Sequence, residues 1–232
     1  HVLLESMLIA SYAINVRNCF VYICGEFDLP YRRLADAVEE AYAAGLFGRN
    51  ILGSDFSCDI VVYRGAGAYV AGEASGLISS LEGKKGYPRN RPPRLTVRGL
   101  YQRPTVVNNV ESLSNIAWII SNGADAFKAV GTPKSPGTRL FSVSGHINRP
   151  GVYEVELGYP WMKFLDEDCG GVPHGRAIKC VVPGGVSSKV LTGADIAKLK
   201  LSHEDLWDAG STLGSGGMIV IAEGTCMVAL LQ

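Results

Sequence analysis

The sequence lacks the common signs of a metal site, a hydrolase and a membrane protein. Its six cysteines contain no C-x-x-C pair, and its four histidines share no spacing that suits a zinc site or a catalytic triad. No G-x-S-x-G elbow is present, and the longest apolar run, MLIASYAI at 7–14, is too short to span a bilayer. We therefore expect no metal ligands, no signal peptide, no direct membrane insertion, and mostly buried thiols in a reducing, cytoplasmic compartment.

The sequence also lacks an excess of charge of either sign. Twenty-two basic residues balance 22 acidic ones, so no global field attracts nucleic acid or an anionic membrane surface. With 232 residues, 47% hydrophobic content and 28 glycines, the composition is that of a globular protein with a substantial core. The chain starts without methionine and stops inside the apolar run CMVALLQ, so we expect a fragment of a longer protein.

Residues 1–131 alternate between helix-like and strand-like segments. These are a helix at 3–16, a strand at 19–25, a helix from Pro30 to Gly45, a strand at 59–63 and a helix near 73–82. Pro30 suits the first position of its helix. The alternation predicts an α/β domain with a parallel sheet, whose ligand site lies at the carboxyl ends of the strands.

After residue 131 the pattern changes to short strands separated by turns. The strands are expected at 139–145, 152–158 and 177–184, with a possible helix, WMKFLDED, before the last of them. We interpret residues 132–190 as a small α+β module of β-grasp type. Residues 191–232 include the apolar strand MIVIAE, which is expected to return to or follow the first domain, and the start of a truncated helical segment.

The stretch RGAGAYVAGEASGL at 64–77 lies between a strand and a helix, as a nucleotide-binding loop would. It lacks the third glycine of G-x-G-x-x-G, and it has Glu73 in place of the lysine of G-x-x-x-x-G-K. One interpretation is that Glu73 only complements the dipole of the following helix. The other is that Gly65, Gly67 and Gly72 let the backbone approach a flat ligand, while Glu73 accepts hydrogen bonds from ribose hydroxyls or amide hydrogens.

Three further features have both a structural and a functional interpretation. Tyr69 either packs on the sheet or stacks on a ligand ring. Asn108 and Asn109 either cap a helix or hold a phosphate or the polar edge of a flavin at the helix start. Residues 84–103 carry seven cations and no acid, which is typical of a solvated loop, of a phosphate-facing arm or, less readily, of a nucleic-acid patch.

Five blocks of the sequence together resemble one family. In order they are GAGAYVAGE, SLEGKKGYPRNRPP, PTVVNNVESLSNIAWII, GTRLFSVSGHINRPGVYEV and GSGGMIVIAEGTCMV. They are similar to the NADH-binding flavoprotein subunit of respiratory complex I, which recurs in NAD-reducing hydrogenases and electron-bifurcating formate dehydrogenases. The likeness covers essentially the whole chain, and five blocks in the right order are more specific than any one glycine pattern.

The resemblance implies a Rossmann-like domain that holds FMN, a ubiquitin-like β-grasp domain, and a helical bundle that binds a 4Fe-4S cluster beyond residue 232. It implies that NAD(H) or NADP(H) exchanges a hydride with FMN and that electrons leave singly through iron–sulfur centres. The implied partners are a thioredoxin-like 2Fe-2S subunit and a larger iron–sulfur, hydrogenase or formate dehydrogenase subunit. The family's flavin-phosphate loop would precede His1.

The resemblance also assigns individual positions. The positions beside the flavin and the nicotinamide are Tyr69, Gly72 and Glu73, and those in contact with the flavin are Val107, Asn108 and Asn109. Glu73 is expected to orient the nucleotide, and no side chain need act as an acid or a base.

Three positions depart from the family pattern near the adenosine end of the nucleotide. A second glutamate is replaced by Ala74, and in P-R-x-K-P-P-F the lysine and the aromatic residue are replaced by Arg91 and Arg94. A carboxylate near the adenosine ribose favours a free 2′-hydroxyl, whereas an arginine accommodates a 2′-phosphate. We therefore expect dual or NADPH-leaning specificity.

Two other functions stay open. A degenerate scaffold subunit that keeps the fold but has lost nucleotide turnover is compatible with Ala74 and Arg94. A nucleic-acid-binding module that uses residues 84–103 would bind with steep salt dependence and would contain no flavin.

Overall fold

The structure, a computed structural model, describes residues 1–231 of the chain. It divides into two compact units, His1–Ser121 and the residues from Asn122 onward. Both units combine helices with a β-sheet, which confirms the mixed α/β class predicted from the sequence. None of the helices in the described part of the chain is long and apolar enough to cross a membrane.

The first unit contains two strands and four helices. In chain order they are α1 (Val2–Ala13), β1 (Asn18–Ile23), α2 (Asp28–Ala43), β2 (Asp59–Arg64), α3 (Ala74–Leu81) and α4 (Val110–Asn122). The two strands pair in parallel, from Asn18 opposite Asp59 to Ile23 opposite Arg64. Because they are parallel, their carboxyl ends meet at one edge of the sheet, as the alternating pattern predicts.

The core of the first unit lies where α1 and α2 pack on the two strands. Its buried members are Leu4, Met7, Cys19, Val21, Ala37, Ala41, Phe47, Ile51, Cys58 and Ile60. The Sγ atoms of Cys19 and Cys58 are 3.6 Å apart in this core. Most cysteines are buried free thiols, as expected: Cys19, Cys58, Cys169 and Cys180 are buried, and Cys24 and Cys226 are exposed.

Two helix boundaries differ from those predicted. α1 ends at Ala13 rather than near residue 16, because Asn15 adopts a φ of +54°, the left-handed conformation that stops a helix. α2 begins at Asp28, so Pro30 is its third residue rather than its first. Pro30 still lies in the first turn, where the N–H that proline lacks would have no intrahelical partner.

The second unit contains five strands and several short helices. In chain order they are α5 (Ala124–Lys128), β3 (Thr138–Gly145), β4 (Gly151–Glu156), α6 (Trp161–Lys163), a π-helical turn (Phe164–Asp168), β5 (Ile178–Val182), β6 (Leu191–Thr192), α7 (Gly193–Ile196), α8 (His203–Asp208), β7 (Gly217–Ala222) and α9 (Met227–Leu231). The sheet order is β4-β3-β7-β5-β6. β7 runs parallel to β3 and antiparallel to β5.

The position of β7 corrects an expectation. The sequence places its segment, MIVIAE, outside the β-grasp module at 132–190 and expects it to return to or follow the first domain, but β7 lies at the centre of the second unit's sheet. The reason is packing: Met218, Val220 and Ala222 are fully buried in the same core as Phe141, Trp161 and Phe164. The sheet thus combines the antiparallel pair β3 and β4 with a last strand that runs parallel to β3.

Candidate functional site

Residues 64–73, called the glycine loop below, leave β2 at the carboxyl edge of the two-stranded sheet. The guanidinium of Arg64 ties this loop to the turn after β1. Its Nε donates to the carbonyl oxygen of Gly25 at 2.9 Å, and a terminal nitrogen pairs with Asp28 at 3.1 Å. The segments that follow the two strands therefore meet where the parallel topology places a ligand site.

Two glycines of the loop are needed for this meeting of segments. A Cβ atom at Gly65 would collide with the ring and hydroxyl of Tyr22 on β1. Gly67 has a φ of +79°, and a Cβ atom there would lie 2.5 Å from the carboxylate of Glu26. At both positions, the absence of a side chain allows segments of the protein's own chain to pack closely.

Gly72 is different. It is exposed, its φ is not in the left-handed region, and a Cβ atom there would find no neighbouring atom within 4 Å. Neither backbone conformation nor internal packing therefore requires glycine at this position. Tyr69 begins the 3₁₀ turn Tyr69–Gly72 that Gly72 ends, and it is 95% exposed, which excludes the interpretation that it packs on the sheet.

Glu73 is the N-cap of α3. Its Oε2 accepts hydrogen bonds from the backbone N–H groups of Ser75 and Gly76 at 2.8 and 2.9 Å and from the hydroxyl of Ser75 at 2.5 Å. Its Oε1 pairs with the guanidinium of Arg91 at 3.3 Å. The Ser75 hydroxyl, helped by the two backbone donors, lowers the pKa of Glu73 below its ordinary value despite some desolvation. Glu73 therefore stabilises the start of α3 by direct hydrogen bonds, and its side chain is 39% exposed beside Arg91.

A Glu73→Ala variant is expected to lower the free energy of unfolding of the first unit by about 1 kcal/mol at neutral pH, because the cap is lost. Since the folded state lowers the pKa of Glu73, this stabilisation is complete above the ordinary glutamate value of about 4.3. It disappears as the pH falls through the folded-state pKa. Urea unfolding of both proteins across this range measures the difference.

The control is Glu39→Ala, which removes an exposed glutamate of α2 and should change stability by less than about 0.5 kcal/mol at every pH. A penalty for Glu73→Ala that stays constant from neutral to acid pH would show that the ionised cap does not contribute.

Asn108 and Asn109, considered above as helix caps or ligand contacts, differ in their surroundings. Oδ1 of Asn109 accepts from the backbone N–H groups of Glu111 and Ser112 at 2.8 and 3.3 Å, so Asn109 caps α4. Asn108 and Val107 are exposed and line a groove of about 650 Å³ that α1, β1 and α3 also border. Within the described residues no hydrogen bond joins either asparagine to the glycine loop.

Residues 84–103, called the basic arm below, are not a simple solvated loop. Together with Ser75, the arm lines a second cavity of about 250 Å³ that is open to solvent, and its cationic lining residues are Lys84, Arg89, Arg91 and Arg98. Arg94 is exposed and does not line it. The arm is held by the buried carboxylate of Glu82, which pairs with Lys84 at 2.8 Å and Arg89 at 2.9 Å.

Some of the predicted site residues are joined by direct contact or belong to one loop, and others line the larger groove. Glu73 and Arg91 are in contact, and Gly65, Gly67, Tyr69 and Gly72 belong to the same loop as Glu73. Val107 and Asn108 border the larger groove instead.

Two residues of the cavity lining, Arg89 and Arg98, were not singled out from the sequence, nor was Glu82, which pairs with the basic arm from outside the lining. The run of seven cations without an acid was the signal that pointed to their neighbourhood. Residues 1–231 contain no cluster of three or more metal-binding side chains.

Residues 1–118 match the model of a protein family described as "Nuo51 FMN-binding domain". The chain is also similar to curated proteins named as the F subunit of NADH-quinone oxidoreductase. It is 48% identical over 228 residues to the one from Mycobacterium bovis, 45% over 228 to that of Streptomyces coelicolor, and 42% over 229 to that of Rickettsia typhi. These alignments cover 98% of this chain but 51%, 50% and 54% of the relatives. The chain therefore spans about half the length of the curated relatives it matches.

A solved structure is similar as well. The chain resembles the crystal structure of an NAD⁺-reducing NiFe-hydrogenase in the H₂-reduced state, with a TM-score of 0.84 and 33% sequence identity. The match covers 99% of this chain and 37% of that chain.

Proposed function

The chain belongs to the Nuo51 FMN-binding domain family, and from this premise we propose that it is part of a dehydrogenase subunit that transfers a hydride between NADH or NADPH and FMN. The observation that carries the proposal is the glycine loop at the carboxyl edge of the parallel strands. There, exposed Tyr69 and unobstructed Gly72 precede a carboxylate that is anchored at the start of a helix. The names of the relatives, which refer to NADH-quinone oxidoreductase, support the same function.

The residues present fit a flat, partly polar cofactor. Val107 supplies apolar contact and Asn108 an amide, and no hydrogen-bonding partner of that amide lies within the described residues. The backbone at Gly72 can be approached closely because no side chain stands in front of it. When bound, FMN supplies the chemistry of accepting a hydride and releasing electrons one at a time.

Glu73 is proposed to orient the nucleotide rather than to transfer a proton. Its Oε2 is fixed by three hydrogen bonds, so the side chain is held in one position. Its Oε1 can accept hydrogen bonds from ribose hydroxyls, and a lowered pKa keeps the carboxylate ionised for that purpose. Holding the nucleotide in one position in this way would accelerate the hydride transfer by orienting the reactants.

The wider assembly is part of the proposal. The word "subunit" in the names of the relatives supports a place in a multi-subunit redox complex. We propose iron–sulfur partners, among them a thioredoxin-like 2Fe-2S subunit and a larger iron–sulfur, hydrogenase or formate dehydrogenase subunit, in the cytoplasm. We also propose that residues 1–131 belong to the flavin domain, that the sheet of the second unit is a β-grasp domain, and that a helical bundle with a 4Fe-4S cluster follows.

The test is the anaerobic visible absorbance of the natively purified full-length protein before and after addition of NADH or NADPH. We expect a flavin band that bleaches. A Glu73→Ser variant keeps an N-cap acceptor but loses the carboxylate. It should therefore fold normally and show a KM for NADH that is about tenfold higher, as for a lost hydrogen bond to a charged group.

Other outcomes have distinct meanings. A flavin that neither nucleotide bleaches would replace this proposal with a scaffold subunit that has lost turnover. A protein without flavin would overturn it, and steeply salt-dependent binding of nucleic acid would then favour the basic arm as an interaction surface.

A further inference from the structure

The open cavity lined by the basic arm has an excess of positive charge. Four cationic side chains line it, those of Lys84, Arg89, Arg91 and Arg98, and no carboxylate does. Two carboxylates outside the lining pair with three of these cations: Glu82 with Lys84 and Arg89, and Glu73 with Arg91. The cavity therefore retains an excess of about two positive charges, which matches a phosphate monoester at neutral pH.

Arg98 contributes most clearly to this excess. Its guanidinium donates to the neutral amide oxygen of Gln102, and no acidic partner for it exists among the described residues. Most of the planar donor set of an arginine is left for a ligand, and its fork geometry suits phosphate oxygens.

The wall of the cavity is held in place before any ligand arrives. The carboxylate of Glu82 is 3% exposed and also accepts from the backbone N–H of Tyr101 at 2.9 Å. Arg89 donates to the hydroxyl of Ser79 at 3.1 Å and to the carbonyl oxygen of Gly99 at 3.3 Å. Its backbone N–H donates to the hydroxyl of Ser75 at 2.8 Å. Because Arg89 and Glu82 are fixed, this part of the wall needs no ordering when an anion binds.

The cavity adjoins the residues proposed to hold the nucleotide. Arg91 lines it and also touches Glu73, while Ser75, another lining residue, donates to the same carboxylate. Lys84 and Arg91 are 66% and 57% exposed, so a ligand can reach them from solvent.

We infer that this cavity binds a phosphate monoester, the 2′-phosphate of NADPH, through Arg98, Lys84 and Arg91. The inference rests on the proposed function for the choice of nucleotide and on the cavity for the phosphate. The sequence pointed to Ala74, Arg91 and Arg94 as the source of this specificity; of these three only Arg91 lines the cavity, which adds Arg98 and Lys84.

The test is calorimetric titration of the full-length protein with adenosine 2′,5′-bisphosphate and with 5′-AMP, which differ only in the 2′-phosphate. We expect the bisphosphate to bind at least about tenfold more tightly. Arg98→Gln and Lys84→Gln should each remove most of that preference, and Arg98→Lys should keep part of it because the charge remains. The ratio of kcat/KM for NADPH to that for NADH should fall about tenfold in the same two glutamine variants.

The matched control is Lys85→Gln, which removes the same charge from the neighbouring position of the basic arm without altering the cavity lining. It should change the preference by less than about twofold, as expected for an exposed charge. If Arg98→Gln and Lys84→Gln change the preference no more than Lys85→Gln does, the inference is wrong. Lys84 is exposed, so its substitution tests the cavity even if Arg98→Gln disturbs folding.

Further measurements distinguish a nucleotide phosphate from free phosphate, and distinguish failure of this inference from failure of the proposed function. Inorganic phosphate that binds as tightly as the bisphosphate, with the same dependence on Arg98, would assign a free-phosphate site and overturn the assignment to NADPH. If NADH bleaches the flavin but 2′-phosphate brings no preference, the inference fails and the proposed function stands. If no nucleotide bleaches a flavin, the proposed function fails, while the calorimetry still decides whether the cavity selects a 2′-phosphate.

Discussion

A Gly72→Val variant of the full-length protein should reduce its flavin with NADH about 100-fold more slowly than the unchanged protein, because misplacing a reactant by about 1 Å can cost that much. Its folded chain has room for the substitution, since a Cβ atom at residue 72 meets nothing within 4 Å and the backbone there is not left-handed. The valine would instead project towards the nucleotide that Glu73 is proposed to orient. Stopped-flow absorbance of the flavin measures the rate.

Two comparisons make this expectation specific. The melting temperature of Gly72→Val should stay close to that of the unchanged protein, as for exposed substitutions within about 0.5 kcal/mol. Gly67→Val should lose stability as well as activity, because Gly67 has a φ of +79° and its Cβ would collide with Glu26. Equal rates for Gly72→Val and the unchanged protein would mean that no ligand approaches this part of the loop.

A Phe164→Ala variant is expected to lower the free energy of unfolding of the second unit by about 3–5 kcal/mol. The side chain of Phe164 is fully buried, and its ring centroid lies 6.1 Å from that of Phe141 and 5.5 Å from that of Tyr153, the latter in a T-shaped contact. Alanine would leave a cavity between β3, β4 and the π-helical turn and would remove both aromatic contacts. Hydrogen exchange of the β3 and β4 amides in increasing denaturant reports on this unit directly.

The control is Val152→Ala, at a position on β4 that is 68% exposed, where the loss should stay within about 0.5 kcal/mol. Similar protection of the amides in Phe164→Ala and Val152→Ala would show that the core collapses around the missing ring. Because the chain has two compact units, a single transition followed by one global signal would not report on the second unit alone.

The sequence by itself determined what depends on neighbouring residues. The hydrophobic pattern and the composition predicted β1 and β2, because the pattern of a strand extends over only a few residues. The start of α4 was recognisable for the same reason, because Asn109, one of the two candidate caps, accepts from backbone N–H groups two and three residues ahead of it. For Glu73 the sequence indicated only a carboxylate beside the helix dipole, and the structure shows that it caps α3 by direct hydrogen bonds. The resemblance of five ordered blocks also indicated the family, which the match over residues 1–118 confirms.

The tertiary structure decided what depends on residues far apart in the chain. Only the sheet shows that β7 lies between β3 and β5, because strand order is set by burying β7 in a core that its own sequence does not specify. Only the packing shows that Gly65 is needed because Tyr22, 43 positions earlier, occupies the space of a side chain there. At Gly72, by contrast, no atom of the protein occupies that space. In the sequence, the basic arm was only a run of like charges. In the structure it lines a cavity, because the buried carboxylate of Glu82 holds Lys84 and Arg89 in place.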